Sequence, residues 1–93
     1  MKKVRVVIWN EFVHEREEGA AGDYIRTVYP AGIHACLAEK LAAADLEIRT
    51  ATLDEPGQGL PEPVLDETDV LVWWSHLFDR DLPDETAGRV VER

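Results

Sequence analysis

Residues 3–9 read Lys3-Val4-Arg5-Val6-Val7-Ile8-Trp9, and residues 70–74 read Val70-Leu71-Val72-Trp73-Trp74. Both are short β-branched or aromatic runs, broken only by Arg5. Apolar runs of this length without alternation suit strands covered on both faces of a parallel sheet, which places both in the sheet interior. Between them, Pro30 pre-sets a first helical turn, and Ile33, Cys36, Leu37, Leu41 and Ala44 follow as one apolar stripe at helical spacing. Residues 46–53 alternate Leu46, Ile48, Thr50 and Thr52 against Glu47, Arg49 and Ala51, the pattern of a strand with a face or edge toward water. Residues 10–28 read as a long polar loop, Pro56-Gly57-Gln58-Gly59 as a turn, residues 61–65 as one helical turn, and Pro83-Asp84-Glu85 as the start of a last helix.

The order strand, helix, strand, connection, strand, helix predicts an α/β fold. Its arrangement is a three-layer, flavodoxin-like parallel sheet with right-handed crossovers and strand order 2-1-3. Three strands leave both sheet edges open, which predicts either pairing with a second copy of the chain or continuation into a longer domain.

Ninety-three residues with 45% hydrophobic content fit one domain with a small core. The apolar runs are far shorter than the roughly 20 residues that span a bilayer, and no secretory leader pattern follows Met1-Lys2-Lys3, so the expected location is cytosolic. A net charge of −9 spread along the chain disfavours nucleic acid and anionic membranes as partners. The single cysteine, Cys36, falls in the helix stripe and reads as a packing residue. The loop after the first strand offers only Gly19 and Gly22, not the glycine fingerprint of a dinucleotide site.

In a sheet of this order, ligands bind beyond the carboxyl ends of the strands, in the crevice where the order reverses, here between the first and third strands. Asn10 and Glu11 follow Trp9, with His14 three residues on, and Ser75 and His76 follow Trp74. His34, in the first turns of the antiparallel helix, falls at the same edge. These residues make a candidate site with His14, His76 and Glu11 as acid, base or orienting groups, and Asn10, His34, Ser75 and Asp79 as substrate-binding groups. Imidazole with carboxylate also suits a Zn-like divalent cation, with His14 and His76 as its ligands, although no fixed zinc-binding spacing is present. Ser75 lacks the flanking glycines of a nucleophile elbow. Trp9, Trp73 and Trp74 offer surfaces for stacking on a sugar, yet adjacent strand residues face opposite ways, so at most one of Trp73 and Trp74 can point toward any one surface, and most of the tryptophan area is expected in the core.

Four segments carry a resemblance. They are Val7-Ile8-Trp9-Asn10-Glu11-Phe12 with His14-Glu15, Tyr29-Pro30-Ala31-Gly32-Ile33-His34, Thr50-Ala51-Thr52-Leu53-Asp54-Glu55-Pro56, and Thr68-Asp69-Val70-Leu71-Val72-Trp73-Trp74-Ser75-His76. In order and spacing they resemble the N-terminal part of ThuA-like trehalose-utilisation proteins, whose fold is similar to the class I glutamine amidotransferases. The resemblance implies a role in the use of trehalose and related disaccharides, beside an NAD-dependent sugar oxidoreductase that makes 3-keto-glycosides. It also implies that residues 1–93 are the N-terminal part of a longer family domain. The positions it carries over are Asn10, Glu11, His14, His34 and His76. Relatives read Trp-Trp-Gly-His with a second histidine three residues on, where this chain has Ser75 and Asp79. The resulting expectation is an enzyme-like domain that acts on or binds a sugar. The alternatives are a non-catalytic module that binds a sugar or docks on the oxidoreductase, and an inactive unit that dimerises through its open edge.

Overall fold

Seven residues, Val4–Asn10, form strand β1 at the centre of a three-stranded, all-parallel sheet in the computed structural model, which describes residues 3–75 and 82–92. Strand β2 (Leu46–Thr52) lies on one side and β3 (Val70–Trp74) on the other, giving the order β2-β1-β3. This is the 2-1-3 order that the element sequence predicts. The register sets Val6, Ile8 and Asn10 beside Ile48, Thr50 and Thr52 and beside Val70, Val72 and Trp74. Because side chains alternate along a strand, those residues share one face of the sheet. Val7, Trp9, Ala51, Leu71 and Trp73 share the other.

Helices cover both faces. On the Asn10 face, helix α2 (Ile33–Leu41) packs on β1 and β2. On the opposite face, Val7, Trp9 and Ala51 join Leu60, Val64 and Leu65 in the core, with Leu71, Leu82 and Val90 against it. Val64 and Leu65 come from the short helix α3 (Glu62–Asp66), and Val90 from α4 (Asp84–Glu92). Helix α1 (Ala20–Val28) packs beside a 3-10 turn at His14–Arg16.

Trp9 holds the second face together. It is 1% exposed and stacks on Trp73 with ring centroids 4.2 Å apart. Burying a tryptophan removes about 150–250 Å² from water, a gross gain of about 4–6 kcal/mol. Its indole Nε1–H donates to the Gln58 carbonyl at 2.7 Å. Gln58 sits at φ 57, left-handed for a residue with a side chain, within the 3-10 turn Pro56–Gly59. Its side-chain Oε1 also accepts from Thr86 of α4 at 2.6 Å. Gln58 thus pins its turn between β1 and α4. Gly59, at φ 73, follows where a Cβ would lie 2.8 Å from the Thr52 carbonyl. Only glycine fits this approach without strain.

At the other end of the sheet, Asp69 clamps β3 onto β1. Its carboxylate accepts from the Arg5 backbone at 2.8 Å and from the guanidinium at 3.1 and 3.2 Å, while its own N–H donates to the Arg5 carbonyl. The polar break in the first strand is therefore the register lock for the third.

Four sequence expectations are corrected. β3 is an edge strand rather than an interior one, with Val70, Trp73 and Trp74 about two-fifths exposed (46, 38 and 40%). An apolar run reports cover over a strand's faces, not a neighbour on each side, and α2 lies over β1 and β2. The tryptophans also divide: Trp9 is buried on the central strand, while Trp73 and Trp74 on the edge strand are partly open. Residues 10–28 are not one loop, since nearly two thirds of them form the 3-10 turn and α1. Gly22, which has the look of a loop residue, is buried where a Cβ would meet the Glu17 carbonyl at 1.8 Å, so it marks close packing. Helix α2 begins at Ile33, after Gly32, rather than at Pro30, and ends before Ala44. Among the described residues, no helix is long and apolar enough to cross a membrane.

Trp9→Phe keeps the aromatic packing but removes the Nε1–H, leaving the Gln58 carbonyl without its donor. The expected cost is about 1–3 kcal/mol, read as a lower urea midpoint with an unchanged slope.

Candidate functional site

The last residue of β1 does not continue the apolar run. Asn10 is a carboxamide that is 1% exposed. A buried amide must spend its donors and acceptor or cost stability, and this one does so completely. Oδ1 accepts the Phe12 N–H at 3.0 Å. Nδ2 donates to Glu15 Oε2 at 2.6 Å and faces His34 Nδ1 at 3.2 Å.

Glu15 is the second buried group, 4% exposed. Besides Asn10, its Oε2 accepts the Ile33 N–H at 2.8 Å, the first N–H of α2. Gly32, the residue before that helix, has no capping side chain, so Glu15 supplies the cap from 18 residues upstream. Its negative charge also lies at the positive end of the helix dipole. Glu15 Oε1 is buried and has no hydrogen-bond partner among the described residues. From α1, Arg26 Nη1 donates to the carbonyls of Glu15 and Glu17 at 3.0 and 2.9 Å, which fixes the turn that carries Glu15.

Phe12 adopts φ 59, a conformation that costs a non-glycine residue about 1–3 kcal/mol. Four contacts hold it there. Asn10 takes its N–H, Arg16 Nε donates to its carbonyl at 2.8 Å, the Arg16 guanidinium lies 5.3 Å over its ring, and the ring meets His34 edge-on at 5.0 Å. Gly32 is required beside them. Its φ is 99, and a Cβ would lie 2.5 Å from His34 Cε1 and 3.0 Å from the Phe12 ring.

Arg16 also reaches the end of β2, where Nη1 donates to Asp54 Oδ2 at 3.1 Å. Asp54 Oδ1 accepts from the Thr52 hydroxyl. The Thr52 bond above all, aided by Arg16 and His34 and opposed by partial burial, holds the Asp54 carboxyl below its ordinary value of 3.8.

The structure therefore brings Asn10 and His34 together with Glu15, beside Phe12. Glu11 adjoins them as a carboxylate with no exposed surface, its N–H donating to the Trp74 carbonyl at 3.2 Å. His14 lies on the 3-10 turn, half-buried, with Nδ1 3.3 Å from Glu17 Oε1. Ser75 Oγ accepts from Trp73 Nε1 at 2.9 Å. His76 and Asp79 lie outside the described residues. Among the described residues, no three His, Cys, Asp or Glu side chains gather as a metal-ligand set.

One residue of this cluster is absent from the sequence candidates. Glu15 is hidden in the acidic run Glu15-Arg16-Glu17-Glu18, where charge reads as solvated surface. The signal that points to it is Gly32, which starts a helix with no capping side chain and so requires an acceptor from elsewhere. Trp74 is the register partner of Asn10 on the same face, and it is 40% exposed. Compared with known proteins, the chain matches no family model and no curated sequence.

Glu15→Ala removes the α2 cap and strands one Asn10 donor, so a loss of about 1–3 kcal/mol is expected in urea unfolding. Asp54 has a second signature. With its folded pKa below 3.8, its contribution is complete above that value and is lost as the pH falls through the lower folded value. Asp54→Asn should therefore flatten the wild-type fall in urea midpoint below about pH 4 and leave the slope above about pH 5 unchanged.

Proposed function

We propose that this chain is a ThuA-like domain that binds a sugar or 3-keto-glycoside at the carboxyl ends of β1 and β3, in the use of trehalose or a related disaccharide. The observation that carries the reading is the pairing of Trp74 with Asn10. In neighbouring strands about 4.8 Å apart, an indole that is 40% exposed stands next to a fixed amide on one face, with His34 and Glu15 bonded to that amide. Carbohydrate sites need this combination. The apolar face of a pyranose stacks on an aromatic ring, while its hydroxyls take planar, pre-oriented amide, imidazole and carboxylate partners. The family resemblance supports the same ligand class.

The immobility of the polar groups favours binding over chemistry for Asn10 and Glu15, whose bonds also hold the backbone. His14, Glu11 and His76 remain the proposed acid–base groups, and His14 and His76 the proposed ligands should a divalent cation such as Zn take part. An NAD-dependent sugar oxidoreductase is the proposed partner and the cytoplasm the proposed compartment.

Isothermal titration of the folded protein with trehalose and with a 3-keto-glycoside tests the reading, with product analysis of the same mixtures. Saturable heat without product is expected of a binding module, and product of an enzyme. Trp74→Ala should weaken binding roughly tenfold, the equivalent of about 1.4 kcal/mol. Neither heat nor product with either sugar would sink the proposal.

A further inference from the structure

The two edges of the sheet differ in what they present. In β2, exposed Glu47 and Arg49 alternate with half-buried residues, and charges of this kind guard an edge against pairing. β3 carries no charge, no proline and no glycine, and its Val70, Trp73 and Trp74 are 46, 38 and 40% exposed. The direction of its backbone groups follows from the ladder. The Glu11 N–H donates to the Trp74 carbonyl, and Asn10 is the register partner of Trp74. Backbone groups alternate in direction along a strand, so Val70, Val72 and Trp74 turn theirs toward β1, while Leu71 and Trp73 turn theirs outward. Neither outward residue has a backbone partner among the described residues. Beside this edge, on the Trp73 face, lies a groove of about 390 Å³ lined by Leu65, Leu71, Trp73 and Val90.

We propose that β3 pairs antiparallel with β3 of a second copy, about a two-fold axis at Val72, to give one continuous sheet of order β2-β1-β3-β3-β1-β2. The outward groups select this register. Across such an axis Leu71 of each copy exchanges both backbone bonds with Trp73 of the other, so every outward N–H and C=O of the strand is satisfied. An axis moved to Leu71 or Trp73 would set the other against Asp69 or Ser75 and break that reciprocity. The side chains match on both faces. Leu71 lies opposite Trp73, which brings that indole to the mouth of the groove. On the Asn10 face Val70 lies opposite Trp74, and Val72 opposite itself, so each exposed apolar residue of β3 meets an apolar neighbour. The nearest acid, Asp69, falls opposite Ser75, and no like charges face each other between the strands. A foreign strand would need this same spacing, whereas a second copy has it by symmetry. Five paired residues a side are far fewer than a standard interface holds, and a charge of −9 on each copy opposes association, so the dimer is weak, with Kd about 10–100 µM, and tightens with salt.

Amide exchange on the labelled protein reads the backbone pairing without any substitution. Between about 10 and 500 µM, at about 0.3 M salt, the Leu71 and Trp73 amides should slow about threefold or more, while the Val72 amide, already turned to β1, should not change. Sedimentation over the same range should show monomer passing to dimer and no larger species. In a Cys36→Ser background, Val72→Cys should oxidise to a covalent dimer, because residues on the axis form a close pair about 4.5 Å apart at Cα. Val91→Cys, at a position 84% exposed on α4, is the control and should not. Should Val72→Cys not fold, a mixture of Val70→Cys and Trp74→Cys chains replaces it, each linking to the other and neither to itself. A chain still monomeric at about 500 µM overturns the proposal and leaves the edge to a strand from a different protein. So does a dimer whose Leu71 and Trp73 amides exchange as fast as in the monomer, growth beyond the dimer, or Val91→Cys linking as readily as Val72→Cys.

Discussion

The Asn10 carboxamide uses its acceptor and both donors on three different parts of the chain: the backbone two residues on, an acid five residues on, and a histidine at the head of the next helix. Because it is buried, none of these bonds can be exchanged cheaply for water. The path of the chain leaving β1 follows from that. Phe12 must take a left-handed turn to bring its N–H to Oδ1, Glu15 must return to the sheet, and α2 must begin where Glu15 can cap Ile33. One side chain at the end of a strand thereby sets the positions of two later elements.

The acidic composition bears on this differently at the surface and inside. Most of the carboxylates are solvated, but Glu11 and Glu15 are taken out of water at the carboxyl end of β1. A buried carboxylate needs donors or nearby positive potential. For Glu15 these come from Asn10, from an amide of α2 and from the dipole of that helix. Two arginines brace the same segment through its carbonyls, Arg26 at Glu15 and Glu17, and Arg16 at Phe12, the latter extending to Asp54. The basic residues of this region thus serve as backbone donors, which explains how a strongly anionic chain sustains a compact polar end to its central strand.

The sheet is legible in the sequence because strand order follows from chain topology, and the apolar stretches of β1 and β3 are unambiguous. The position of His34 beside Asn10 is legible too, since an antiparallel helix returns its first turn to the strand ends. Glu15 is not. Nothing in a local pattern separates a glutamate that caps a distant helix from its solvated neighbours Glu17 and Glu18. Helix α1 is obscured for a related reason, because Gly19 and Gly22 signal a loop locally while the burial of Gly22 is a tertiary fact. The exposure of Val70 and Trp74 is likewise decided by where α2 lands, which no property of residues 70–74 encodes.

That landing has a consequence for recognition. Had α2 covered β3 as well, Trp74 would be core, and the Asn10 face would end in a closed wall. Lying over β1 and β2, α2 leaves its own first turn, with His34, on one side of Asn10 and an open indole on the other. The polar groups are rigid because the fold needs them to be, and the aromatic surface is accessible because the same helix does not reach it. A ligand meeting this edge therefore finds its hydrogen-bonding geometry already fixed, and the cost of ordering those side chains has been met during folding rather than on binding.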